Sequence, residues 1–101
     1  MRKEVYFQDA VTEFLGDVGD LLVRKQLDYG PNAVSRFGLQ GIIVRMSDKL
    51  ERLINLSQLQ ADPEVNESID DTLYDIAGYA ILGLILRKYG MPLPIKKKDK
   101  V

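Results

Sequence analysis

The chain has 101 residues, 14 Lys+Arg against 15 Asp+Glu, and neither histidine nor cysteine. That is the length of one domain, and it excludes disulfides, thiolate zinc sites, cysteine nucleophiles and imidazole chemistry. Six of the basic residues, Arg87, Lys88, Lys96, Lys97, Lys98 and Lys100, fall in the last fifteen positions, so the body is acidic, which argues against a nucleic-acid-coating protein.

The opening MRKEVYFQDA has no apolar h-region, and the longest apolar run, residues 76–86, is shorter than the roughly 20 residues a bilayer requires. A soluble intracellular protein without a membrane partner is the expectation. In residues 4–25 the apolar positions Phe7, Val11, Phe14, Leu15, Val18, Leu21 and Leu22 recur at helical spacing, predicting a first amphipathic helix. Gly16 and Gly19 would either admit a partner helix or bend this one. Glu13 with Asp17 reads as surface.

Residues 25–38, KQLDYGPNAVSRFG, break the period with Gly30-Pro31 and read as a connector with at most a short helical turn. Asp28-Tyr29-Gly30 is either a plain turn or a place where Tyr29 meets a flat base and Lys25 or Arg36 a phosphate.

Residues 39–59 form the second predicted helix, with Ile42, Ile43, Met46, Leu50, Leu53 and Ile54 on one side and Arg45, Asp48, Glu51, Arg52 and Asn55 opposite. Residues 60–66 are a loop, and Ser68 with Asp71 is compatible with the cap of a third helix reaching Lys88. In that helix Glu67, Asp71 and Asp75 stand at i, i+4 and i+8, within about 80° of one face. Like charges so placed cost an isolated helix about 0.2–0.5 kcal/mol per pair. Either a cation gathers them or they are a solvated face favoured by the helix dipole. If repulsion is all they share, Asp75→Asn leaves stability unchanged or slightly raised.

Past Gly78 the third helix is apolar nearly all round, which predicts burial on more sides than two neighbouring helices cover, hence a homodimer or higher oligomer. Gly78 and Gly83 would let another backbone approach. Residues 1–90 are then one domain and residues 91–101, MPLPIKKKDKV, a basic mobile tail that could touch nucleic acid or lipid.

The expected fold is all-α: three main antiparallel helices with a short connector helix. The short loop makes the second and third helices antiparallel neighbours, so Asp48 and Glu51 would meet Asp71 and Asp75 at one level. Carboxylates without histidine or thiolate suit Mg²⁺ or Mn²⁺.

The run GLQGIIVRMSDKLERLINL, followed by ESIDDTLYDIAGYAILGLIL and preceded by KQLDYG, resembles the nucleotide modification associated domain 1 group of phages and bacteria. That group is similar to all-α nucleotide pyrophosphohydrolases typified by MazG. The resemblance implies a MazG-like bundle completed by oligomerisation, in the cytoplasm of a bacterial or phage-infected cell. It also implies Mg²⁺-dependent release of pyrophosphate from a nucleoside triphosphate. Asp48-Lys-Leu-Glu51 matches the first metal motif of that superfamily with one shortened acid, whereas Asp71 and Asp75 are spaced four apart where the second motif has three.

On this resemblance the metal ligands are Asp48, Glu51, Asp71 and Asp75, and the base is Glu51 or Glu67. Lys25, Arg45, Lys49, Arg52 and Asn55 would hold the nucleotide, with Tyr29 stacked on its base. The rival expectation is a protein that keeps the fold and only binds nucleotides or inhibits a partner.

Overall fold

The computed structural model describes residues 4–30, 32 and 35–96. Among them the chain is all-helical: α1 (Phe7–Tyr29), a 3-10 turn (Ser35–Phe37), α2 (Gly38–Ser57) and α3 (Pro63–Lys88). The short connector helix expected between the first two long helices is that 3-10 turn. Of the tail, residues 97–101 lie outside the described set.

Three boundaries differ from the sequence reading, the first being the start of α1, at Phe7 rather than at residue 4. α1 runs on through Lys25, Gln26, Leu27, Asp28 and Tyr29 and stops only where Gly30 takes φ 85° and donates its N–H to Gln26 O at 3.0 Å. Those residues lack hydrophobic period, but all except Asp28 and Tyr29 are good helix formers, and Lys25 is tied to α3.

α3 begins earlier than expected, at Pro63. Asp62, not Ser68, is the cap: its Oδ1 accepts from Val65 N at 2.8 Å, and Pro63 in the first turn lacks an N–H that would have gone unpaired anyway. Ser68 instead lies inside the helix, where its carbonyl accepts from Thr72 Oγ1 at 2.7 Å.

α2 and α3 form an antiparallel hairpin across the short loop 58–62 and make the most extensive helix contact. α1 lies against α3 over a smaller area. The buried residues are few: Val18 from α1, Ile42 and Leu56 from α2, and Thr72, Gly78 and Gly83 from α3.

Gly78 is where α1 and α3 approach, since a Cβ there would stand 3.1 Å from Leu22 Cδ2. At both Gly78 and Gly83 the approaching group is a leucine side chain, Leu22 and Leu39 respectively, rather than a backbone. Gly16 and Gly19 face open space. No helix among the described residues is long and apolar enough to cross a membrane.

Candidate functional site

Asp75 is the residue on which the three helices converge. It lies on α3 beside the crossing with α1, its side chain only 16% exposed, and each carboxylate oxygen has its own cation. Lys25 Nζ of α1 donates to Oδ1 at 2.8 Å and Lys49 Nζ of α2 approaches Oδ2 at 3.0 Å. Burial alone would push the Asp75 carboxyl up, but the hydrogen bonds and charges of the two lysines outweigh it and hold the group below the ordinary carboxylate range. The same hydrogen bond to Asp75 raises Lys25, against the opposing pull of burial. Two lysine side chains against one carboxylate give this knot an excess of positive charge.

Around this knot runs a trough with two unlike halves. The basic half, about 300 Å³, is lined by Lys25, Gln26, Tyr29, Arg45, Lys49, Asp75 and Tyr79, with Leu21, Leu22, Tyr74, Gly78 and Leu82 behind them. The other half, about 680 Å³ and more open, collects Asp17, Asp20, Asp71 and Asp75 with Leu21, Arg24, Lys25 and Tyr74. Tyr74 stands between the halves, donating its hydroxyl to Asp17 Oδ2 at 3.2 Å and meeting the Phe14 ring at 6.1 Å between centroids. Desolvation, then the hydrogen bond to Asp17, raises the phenol above its ordinary value, so it stays a donor.

The residues expected from sequence divide accordingly. Lys25, Tyr29, Arg45, Lys49 and Asp75 come together in the basic half, and Asp71 lies in the acidic half. Asp48, Glu51, Arg52, Asn55 and Glu67 are exposed and line neither.

Sequence reasoning missed Tyr74 and Tyr79, and it also missed Asp17, Asp20 and Arg24. A signal existed for each group: Tyr79 is one helical turn from Asp75, and Asp17, Asp20 and Arg24 follow the i, i+3, i+7 spacing of a single face.

Both Asp75 oxygens are engaged by ammonium groups, and among the described residues no three carboxylates group closely enough to hold a metal ion. As arranged in one chain, these acids do not fit a hard-cation site, which takes several oxygen ligands at about 2.0–2.6 Å. What the basic half offers is different: three cations from two helices, lining a concave space beside three phenol rings. Such a set suits an anionic group joined to a flat ring.

No curated protein and no solved structure matches the chain. A family model does match, over residues 25–86, which starts at Lys25 and takes in all of α2 and nearly all of α3. The chain belongs to the family described as nucleotide modification associated domain 1.

Proposed function

We propose that this protein binds a nucleotide in the basic half of the trough. Lys25, Lys49 and Arg45 would take the phosphates and Tyr29 or Tyr79 would lie against the base. The observation that carries the reading is the convergence of Lys25 and Lys49, from two different helices, on one carboxylate at 2.8 and 3.0 Å. Asp75 holds two flexible ammonium groups in place before a ligand arrives, which lowers the ordering cost of binding. A phosphate then competes with Asp75 for the same donors, and Arg45 adds a planar fork suited to phosphate oxygens. The family description, which names nucleotide modification, points to the same class of ligand.

Kinship with MazG-like pyrophosphohydrolases, with Mg²⁺ as cofactor, is the finer form of this reading, and it rests on Asp48-Lys-Leu-Glu51 and the Asp71/Asp75 pair. Since the acids of one chain do not fit such a cation, binding without turnover is the form the geometry favours.

One experiment separates the outcomes. Calorimetric titration of nucleoside and deoxynucleoside mono- and triphosphates, with and without Mg²⁺, is run beside a pyrophosphate assay. Binding that weakens tenfold or more in Lys49→Met and in Arg45→Met is the expected result. Millimolar nucleotide giving no heat and no shift in melting temperature would overturn the proposal. Pyrophosphate released only with Mg²⁺ would establish the hydrolase instead.

A further inference from the structure

The two halves of the trough share Leu21, Lys25, Tyr74 and Asp75, so they open into one another. Their order along the helices follows from the contacts. α1 and α3 run in the same direction, with Phe14 and Asp17 at Tyr74 and Leu22 at Gly78. α2 runs against both: Lys49 meets Asp75, and Leu39 Cδ1 comes 3.8 Å from where a Gly83 Cβ would stand. From end to end the trough therefore presents its groups in a fixed order. Asp17, Asp20 and Asp71 come first, and Lys25, Lys49 and Asp75 stand in the middle. Tyr29, four residues past Lys25, and Tyr79, four residues past Asp75, come last. Four residues of helix rise about 6 Å, so Asp71 and Tyr79 flank Asp75 at that distance along α3, on opposite sides.

That order gives a bound nucleotide a direction, on the reading of the basic half as a nucleotide site. With the base at Tyr29 or Tyr79, the first phosphate reaches Lys25 and Lys49 in the middle, and Arg45 joins it from the tyrosine side, one turn back along α2 from Lys49. A second and a third phosphate extend away from the base, which is toward Asp17, Asp20 and Asp71. Tyr74 is not a second seat for the base, because its hydroxyl donates to Asp17 Oδ2 at 3.2 Å and its ring meets Phe14.

Space does not stop the longer chain, since the acidic half measures about 680 Å³. Charge does. Three aspartates stand there against one arginine, Arg24, beyond the shared Lys25 and Asp75. Asp71 is about 6 Å along α3 from Asp75, and Asp20, five residues before Lys25, is about 7.5 Å from it along α1. Both distances fall inside the Debye length of about 10 Å at 0.1 M salt.

The basic half, in contrast, balances one phosphate. Lys25, Arg45 and Lys49 against Asp75 leave an excess of two basic side chains, and a phosphate monoester carries about −1.5 to −2 at pH 7. Its volume of about 300 Å³ also stands at the lower end of small-molecule pockets, roughly 300–1,000 Å³. Each further phosphate adds negative charge where the lining is already acidic. We propose that the trough selects nucleotides by phosphate number, taking nucleoside monophosphates and turning away triphosphates, with Asp17, Asp20 and Asp71 as the repelling residues.

Calorimetric titration with the mono-, di- and triphosphates of deoxyadenosine, deoxyguanosine, deoxycytidine and thymidine tests this. It is run with a chelator, so that no divalent cation masks the phosphate charge, and at low ionic strength, where exposed charges are least screened. The monophosphate of the preferred nucleoside should bind roughly tenfold more tightly than its triphosphate, with the diphosphate between them. That ratio should fall severalfold in Asp20→Asn/Asp71→Asn and again in Asp20→Lys. Both positions are exposed, so neither variant disturbs packing, and melting curves check that each chain is folded. Asp17 is left in place because it holds Tyr74. A triphosphate that binds as tightly as the monophosphate, or a ratio unchanged in both variants, would overturn the proposal and leave the nucleotide reading standing. No binding by any of these probes would overturn that reading and the proposal with it.

Discussion

Asp75 reverses the sign that charge counting along α3 assigns to it. With Glu67 and Asp71 on the same stripe, neutralising it relieves repulsion and stability is unchanged or rises; with Lys25 at 2.8 Å and Lys49 at 3.0 Å, the amide leaves two ammonium groups short of a charged acceptor. Asp75→Asn should therefore destabilise the fold, by about 1–3 kcal/mol, measured by urea denaturation at pH 7. An unchanged or higher midpoint would show that the lysines contribute nothing there. The pH dependence follows from the lowered carboxyl. Its contribution is fully present above the ordinary Asp value of about 3.9 and is lost as pH falls through the lower folded-state value. Between pH 5 and pH 2 the wild type should lose more stability than Asp75→Asn. Lys25, raised by the same bond, acts at the other end: its contribution is complete below about 10.4 and fades as pH rises through the higher folded value. Lys25 is 43% exposed, so solvent screens that second effect and it is the smaller of the two.

At the scale of the elements, the three long helices were legible because their apolar residues keep the 3.6-residue period, and the breaks came where period and cause parted. The last turn of α1 was unreadable from local pattern because the Lys25–Asp75 bridge across 50 positions holds it. The start of α3 was readable, since Asp62-Pro63 is a cap followed by a first-turn proline, but Ser68 offered a competing cap nearer the apolar run. Of the twelve residues lining the basic half, the sequence singles out five, Lys25, Tyr29, Arg45, Lys49 and Asp75, because cations and a tyrosine stand near an acid-bearing helix. Whether Asp75 meets a metal or two lysines depends on side-chain reach across helices, which one-dimensional spacing does not contain. Glycines give a paired test of element geometry. A Cβ at Gly41 would come 2.7 Å from Phe37 Cβ, so the α2 start must shift to admit it, whereas Gly16 in α1 meets nothing within 4 Å. Gly16→Ala should raise stability by up to about 1 kcal/mol through helix propensity, and Gly41→Ala should lower it despite the same propensity gain. Equal signs in thermal melts would contradict the packing at Phe37. Asp62→Ala removes the α3 cap and should cost about 1 kcal/mol.

For the whole molecule, the radius of gyration is 16.0 Å, against about 13 Å for a compact domain of this length. The shape explains it: the contacts of α1 with α3 run from Phe14 and Asp17, at Tyr74, to Leu22 and Lys25, and leave the start of α1 bare. Val18 is 6% exposed, while Phe7, Val11 and Phe14, within about 40° of it on the same face, are 79%, 41% and 52% exposed. The apolar stripe of α1 thus continues past the point where α3 covers it. Local stability follows contact density, and helices shorter than about 12–15 residues are marginal in water without packing. The amides of Ala10, Val11, Thr12 and Glu13 should therefore exchange with solvent well before those of α2 and α3, where the hairpin contact is broadest. The order of loss is the measurable quantity: α1 first half, then the α1–α3 crossing at Val18 and Leu22, then α2 and α3 together. A Lys49→Met variant removes one leg of the Asp75 knot and should hasten exchange at Leu21 and Leu22 without changing that at Leu56, which is buried in the α2/α3 hairpin two helical turns along α2 from Lys49. Simultaneous exchange of all three helices in the wild type would mean that α1 is held along its whole length, and that its bare residues are covered by something other than α3.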